Sequence, residues 1–280
     1  MGNLRCMQTL DLRVRFVNMR VPNVFKKMEQ LRHLYLPERY SVYEKLEVGN
    51  LCYLQTLVNV WPKKIRLPTS FTFNRLRVLK VRTFFELGRD IIEILNVRSY
   101  FEGSPDIIQI LSSCPHIYNL HLQDVEIKKL SEVHHFSSNL AKLTLIFSYL
   151  KEDPMATLEK LPNLKILRLL GSAFVGDNMV CSERGFPQLQ SLVLSRLEID
   201  GCSRMSTIPD GLRFITTLQE LEIKDMPKTF KDRVDKDEEF QDCYREFQDS
   251  DGDGEFQDCY GEFQDFDGDP TRAFPCISTL

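Results

Sequence analysis

Nine times along this chain a block close to Leu-x-x-Leu-x-Leu recurs at nearly constant spacing. With the first Leu of the closing Leu-x-Leu as marker, the series is Leu10, Leu34, Leu57, Leu79, Leu120, Leu143, Leu167, Leu192 and Leu221. The steps between them are 24, 23, 22, 41, 23, 24, 25 and 29 residues. A unit of about 20–29 residues is too short to bury its own apolar side, so successive units must stack into one continuous core. The chain is therefore expected to be a solenoid.

The rhythm is that of a leucine-rich repeat, an α/β solenoid with a curved parallel β-sheet on the concave face and short helices or irregular turns on the convex face. In Leu31-Arg32-His33-Leu34-Tyr35-Leu36 the leucines at alternate strand positions point into the stack, which leaves His33, Tyr35 and Pro37 on the concave side. The same alternation recurs in 76–81, 140–145, 164–169 and 189–194. The leucines are core, so any recognition falls to the residues between them. The alternation nominates Arg13, Tyr35, Lys80, Arg82, His121, Gln123, Lys142, Arg168 and Glu222 as concave-facing, a set whose balance is basic.

Several function classes are disfavoured. No apolar run approaches the roughly 20 residues that span a bilayer, and Met1–Cys6 lacks a signal core. The same terminus is a poor myristoylation start, with Cys6 where Ser or Thr belongs, and Cys276 lies one residue too far from the end for a prenylation box. The eight cysteines stand at least sixteen residues apart, without metal-ribbon spacing, clustered end-sealing pairs or a single glycosylation acceptor. Reduced thiols in the cytoplasm are the expectation.

Catalytic and cofactor chemistry is not expected either. Gly171 and Gly176 have the spacing of a phosphate loop, but Asp177 and Asn178 follow where Lys and Ser or Thr must contact phosphate and metal, so the segment reads as a turn. His134-His135 and Cys114-Pro115-His116 lack further ligands at metal-binding spacing. No Gly-x-Ser-x-Gly segment occurs, and the scattered carboxylates suggest no acid–base pair. The chain reads as a non-enzyme with no cofactor and no metal.

Two irregularities interrupt the rhythm. The 41-residue step after Leu79 contains Ile92-Glu93-Ile94-Leu95-Asn96-Val97, which is either a degenerate repeat or part of a longer convex insertion. Further on, Leu192-Val193-Leu194 and Leu197-Glu198-Ile199 are two strand-like cores only five residues apart. The simplest reading of this stutter is a lost segment of about one repeat, which makes a weak point in the stack.

Gly171-Ser172-Ala173-Phe174-Val175-Gly176, Phe186-Pro187-Gln188-Leu189, Ile208-Pro209-Asp210-Gly211-Leu212 and the run Met226-Pro227-Lys228-Thr229-Phe230-Lys231-Asp232-Arg233 resemble the late repeats of plant NLR disease-resistance proteins of the coiled-coil class. The resemblance covers roughly residues 1–234. It implies a role in plant innate immunity, with repeats that sense pathogen effectors and restrain activation. The coiled coil and the nucleotide-binding NB-ARC module of that family lie outside these 280 residues. A stand-alone intracellular scaffold and a truncated receptor relic are the alternatives.

Residues 235–280 are chemically separate from 1–234. Within them 239–254 and 255–270 form a tandem duplication, differing only at Arg245/Gly261, Ser250/Phe266 and Gly254/Pro270. Residues 235–270 hold fifteen acids and two bases, net −13, against +9 for the remainder of the chain. Such self-repulsion without aliphatic periodicity predicts a mostly disordered acidic tail. Asp249-x-Asp251-x-Asp253-Gly254 begins like a calcium loop, yet its twelfth position is Tyr260 where a bidentate Glu is required, and the second copy has Pro270 in place of the glycine. The expected partner of the basic concave face is an acidic protein surface: an effector, another receptor domain or the tail itself. Nucleic acid is disfavoured, because the positive charge is diffuse and stacking aromatics are few.

Overall fold

In the computed structural model the described residues are 4–14, 17–68, 71–83, 105–125, 127, 130, 136–176, 178–197, 211–224 and 226. Their strands in chain order are β1 (Thr9–Asp11), β2 (Asn18–Arg20), β3 (His33–Tyr35), β4 (Arg39–Ser41), β5 (Leu46–Glu47), β6 (Thr56–Val60), β7 (Ile65–Arg66), β8 (Val78–Arg82), β9 (Asn119–Gln123), β10 (Lys142–Ile146), β11 (Ile166–Leu170), β12 (Ser191–Ser195) and β13 (Glu220–Lys224). Nine of them form one sheet in the order β1-β3-β6-β8-β9-β10-β11-β12-β13. Every pairing in it is parallel, and each pairs a marker Leu with the next one. This is the solenoid that the leucine spacing predicts.

The register follows from where the leucines must go. Leu34, Leu57, Leu79, Leu120, Leu143, Leu167 and Leu192 are almost wholly buried in one continuous core, and so are Leu122, Leu145, Leu169 and Leu194 two positions on. Leu10 and Leu221, in the first and last strands of the described sheet, are only half-buried. Each of these two strands has a single neighbour in the described sheet, which covers less of its leucine than two neighbours do.

A left-handed residue ends the strand in successive repeats. Asp124, Phe147, Gly171 and Arg196 occupy the same place and have φ of 56°, 51°, 53° and 49°. This conformation is uncommon outside glycine, and here it turns the backbone off the sheet at the same point each time. Backbone N–H groups of Asp124, Phe147, Gly171 and Arg196 continue the ladder onto the next repeat's carbonyls at 2.9–3.2 Å. In β6 the register shifts between Leu57 and Val60, with Asn59 at φ 60° as the extra residue. Its side-chain amide donates to the Leu36 carbonyl at 2.9 Å, which holds the bulge.

Away from the sheet, the described parts of the return limbs carry only short elements. They include helix α1 (Pro105–Ser112), the single turn α2 (Met155–Leu158), and 3₁₀ turns at Phe25–Lys27, Pro62–Lys64 and Leu212–Phe214. Ile107, Ile110 and Leu111 of α1 join the main core. Asp153 starts α2, accepting the Met155 N–H at 2.8 Å and the Val180 N–H of the following repeat at 2.9 Å. Two minor parallel pairs, β2 with β4 and β5 with β7, link the return limbs of the early repeats.

Both irregularities of the sequence resolve in the sheet. Strands β8 and β9 are direct neighbours paired over five residues, so no further strand stands between them in this sheet and Leu79 to Leu120 is a single long step of it. The segment Ile92–Val97 itself lies outside the described residues. The lost-repeat reading of Leu197 is corrected by the pairing of β12 with β13 over five residues: Leu192 to Leu221 is one repeat of 29 residues. Left-handed Arg196 takes the chain off the sheet, so buried Leu197 stands where Val125 and Ser148 stand in their repeats. Leu197 thus lies off the sheet, and Glu198 and Ile199 lie outside the described residues. The expected acidic tail, with its calcium-loop-like segments, lies outside the described residues.

Candidate concave recognition face

Alternation turns the side chains between the leucines to the opposite face of the sheet, and the register sets them in rows. One row runs Lys80, His121, Thr144, Arg168, Val193, Glu222 on β8 to β13. A second runs Arg82, Gln123, Ile146, Leu170, Ser195, Lys224. Adjacent strands lie about 4.8 Å apart, so residues more than twenty positions distant in sequence become side-by-side neighbours.

Five of the nine nominated residues gather around one ring. His121 lies beside Lys80 across the β8–β9 ladder, and its imidazole packs into the face with part of its surface still reaching solvent. Burial pushes its pKa down to about 3, and the positive charges of Lys80, Arg82 and Arg168 act in the same direction, against a hydrogen bond that the ring N–H donates to the Gln123 side chain. His121 is therefore neutral at physiological pH. Arg82 is buried, with Nη1 at 3.7 Å from the carboxylate of Glu38. With Arg82 already paired to Glu38, Lys80 and Arg168 beside the neutral ring make a positive centre suited to carboxylates, to which guanidinium groups bond strongly.

The other four lie apart from that centre. Arg13 pairs with Asp11 at 2.7 Å and lies over the Tyr35 ring at 4.5 Å, in the first two strands of the sheet. That pairing holds the Asp11 carboxyl below its ordinary pKa, chiefly through the Arg13 hydrogen bonds. Lys142 sits one row over, between Asn119 and Ile166. Glu222 is on the last strand of the described sheet and is ion-paired to Lys224.

Sequence reasoning missed an apolar neighbour of the positive centre. Ile146, Leu170 and Val193 form a second buried cluster with Phe147 against it, separate from the main core. The signal was available: each occupies an outward position in its repeat, where an aliphatic residue departs from the polar pattern. Thr144 and Val193 are also the middle residues of their own Leu-x-Leu blocks.

The near-miss motifs fall at separate places in the described fold. Gly171 and Ser172 form the turn that ends β11, as the sequence reading has it. Cys114 is buried while His116 is exposed, and His134-His135 lie outside the described residues. Among the described residues no three metal-ligating side chains converge, and no helix is long and apolar enough to cross a membrane.

Comparison with known proteins agrees with the sheet. The family described as a leucine-rich repeat region matches residues 1–201. The chain is 35% identical over 257 residues to the putative disease resistance protein At1g59780 of Arabidopsis thaliana, a match covering 84% of this chain and 28% of that protein. It is 33% identical over 266 residues to the disease resistance protein RPP8 of the same plant, and 32% identical over 266 residues to the probable disease resistance RPP8-like protein 2. Each of these two matches covers 84% of this chain and 29% of the relative. The chain thus spans under a third of the length of the relatives it matches. With nine marker leucines in one parallel register and a family match over most of its length, the chain belongs to the leucine-rich repeat region family and is similar to the repeats of plant disease resistance proteins.

Proposed function

We propose that this chain is the protein-binding, effector-sensing and autoinhibitory repeat region of a cytoplasmic plant immune receptor of the coiled-coil NLR type. It acts without catalysis, metal or cofactor. Recognition runs through the concave face, with Lys80, Arg82 and Arg168 around neutral His121 as its positive centre and an acidic protein surface as its partner. The observation that carries this reading is the gathering of those residues, from three different strands, in repeats whose relatives are named disease resistance proteins. A solenoid sheet presents many side chains in fixed register, which suits the recognition of a surface more than a small molecule.

Grafting tests the reading. The chain replaces the matching repeats of a full-length disease resistance relative, and the defence response is measured in leaf tissue at rest and on challenge. A graft that stays silent at rest and carries a positive centre needed for the challenged response is expected. Constitutive output from the graft contradicts the autoinhibitory role, and indifference to the positive centre contradicts the recognition role.

A further inference from the structure

Beyond the concave face, the margin of the sheet where the strands begin carries a groove of about 480 Å³. Its floor is the row of residues just before strands β8 to β11, namely Arg77, Tyr118, Ala141 and Lys165. Ala141, buried in the middle of this row, contributes only a methyl group between Tyr118 and Lys165. The backbone of this row is already committed, since each carbonyl of Arg77, Tyr118, Ala141 and Lys165 accepts two N–H groups from the following repeat at 2.8–3.0 Å. Whatever binds there is read by side chains.

The wall is a ladder of turn residues one repeat apart, His116, Asn139, Asn163 and Gln188. Two of its rungs are pinned to their neighbours. The Asn163 amide donates to the Ser138 carbonyl at 2.8 Å, and the Asn139 amide nitrogen stands 3.4 Å from Nδ1 of His116. Side-chain amides offer donors and acceptors together, which matches the unpaired N–H and C=O groups of an extended peptide.

The charge of the lining is one-signed. Arg77 stands at one end and Lys165 at the other, and no carboxylate lines the groove. Arg77 is held by contacts of 3.3–3.5 Å from its Nη1 to the carbonyls of Asn74, Leu76 and His116. On the Arg77 side the sequence keeps the same sign: residues 48–82 contain seven Lys and Arg and no Asp or Glu. Three strand spacings separate the two cations, about 14 Å, which an extended chain covers in about four residues.

We propose that this groove binds an acidic peptide segment of a partner protein, extended across strands β8 to β11, with carboxylates about four residues apart against Arg77 and Lys165. It is a second recognition surface, distinct from the concave face. The test uses the full chain and fluorescence anisotropy of a labelled peptide, Gly-Ser-Asp-Gly-Ser-Gly-Asp-Ser-Gly, with controls in which both Asp are Asn, both are Lys, or the two Asp are adjacent. Binding of the spaced Asp peptide, weakened by salt, is expected. Lys165→Glu is expected to weaken it by about tenfold, the size of one charged hydrogen bond, with a melting temperature within a few degrees of the unaltered chain showing that the variant is folded. Lys27→Glu, on the exposed Phe25–Lys27 turn several repeats away, is expected to leave the peptide affinity unchanged. Absence of binding, equal binding of the adjacent Asp peptide, or loss with Lys27→Glu but not with Lys165→Glu overturns the proposal.

Discussion

The carbonyl oxygen of Cys181 lies 2.0 Å from the place where a β-carbon on Gly211 would stand, and Gly211 itself is left-handed at φ 90°. This pair explains the glycine in the Ile-Pro-x-Gly-Leu segment through which the sequence resembles its family. The glycine admits a neighbouring backbone, and the next residue, Leu212, is then buried in the core. Gly211→Ala brings strain and a backbone clash together, with an expected loss of about 3 kcal/mol or more in urea unfolding. Gly171→Ala meets a side chain, the Phe147 ring at 2.5 Å, so Phe147→Ala in the same chain is expected to recover part of its cost.

Stacking makes the core unequal along its length. Leu143→Ala removes a wholly buried side chain from the middle of the sheet and is expected to cost about 2–5 kcal/mol. Leu10→Ala, in half-buried β1, is expected to cost less than half of that. Chemical denaturation of both variants measures the difference, and equal losses would sink the single-neighbour account of β1.

His121 gives the fold an acid-sensitive element. Its folded pKa of about 3 lies below the ordinary value of 6.5, so between these limits the unfolded chain binds the extra proton and stability falls as pH drops. Above pH 6.5 the term vanishes. The slope has an upper limit of about 1.4 kcal/mol per pH unit for one proton. His121→Asn is expected to flatten the dependence of the melting temperature on pH between 6.5 and 4, and an unchanged slope would assign acid sensitivity to other groups.

Thiol reactivity reports burial directly. Cys114 and Cys181 are buried and their pKa values are pushed up to about 12, by desolvation in both cases and also by Asp153 and Glu159 near Cys181. Cys6 and Cys52 are exposed. Iodoacetamide at pH 8 on the native chain, read by peptide mass spectrometry, is expected to label Cys6 and Cys52 much faster than Cys114 and Cys181. Comparable rates for all four would contradict the packing of the return limbs.

Periodicity made the sheet legible because each marker Leu has one place to go, inward against its counterpart in the next repeat. It misled at Leu197, whose apolar side chain continues the pattern although the left-handed turn at Arg196 has already taken the chain off the sheet, and nothing in the residue Arg signals that turn. Five of the nine nominated face residues share one cluster because the register is uniform from β8 to β13. Its apolar neighbours escaped notice because Ile146 and Leu170 stand at outward positions that the sequence pattern leaves to polar groups. The groove floor includes Ala141, whose methyl group a search for functional groups passes over.

Charge reversal at the positive centre tests the central claim most directly. In the grafted receptor, with folding monitored by thermal melting, Lys80→Glu with Arg168→Glu is expected to leave the melting temperature within a few degrees and to reduce the challenged defence response by about tenfold or more. A reversed graft that melts normally and responds like the unreversed one would contradict recognition through the concave face.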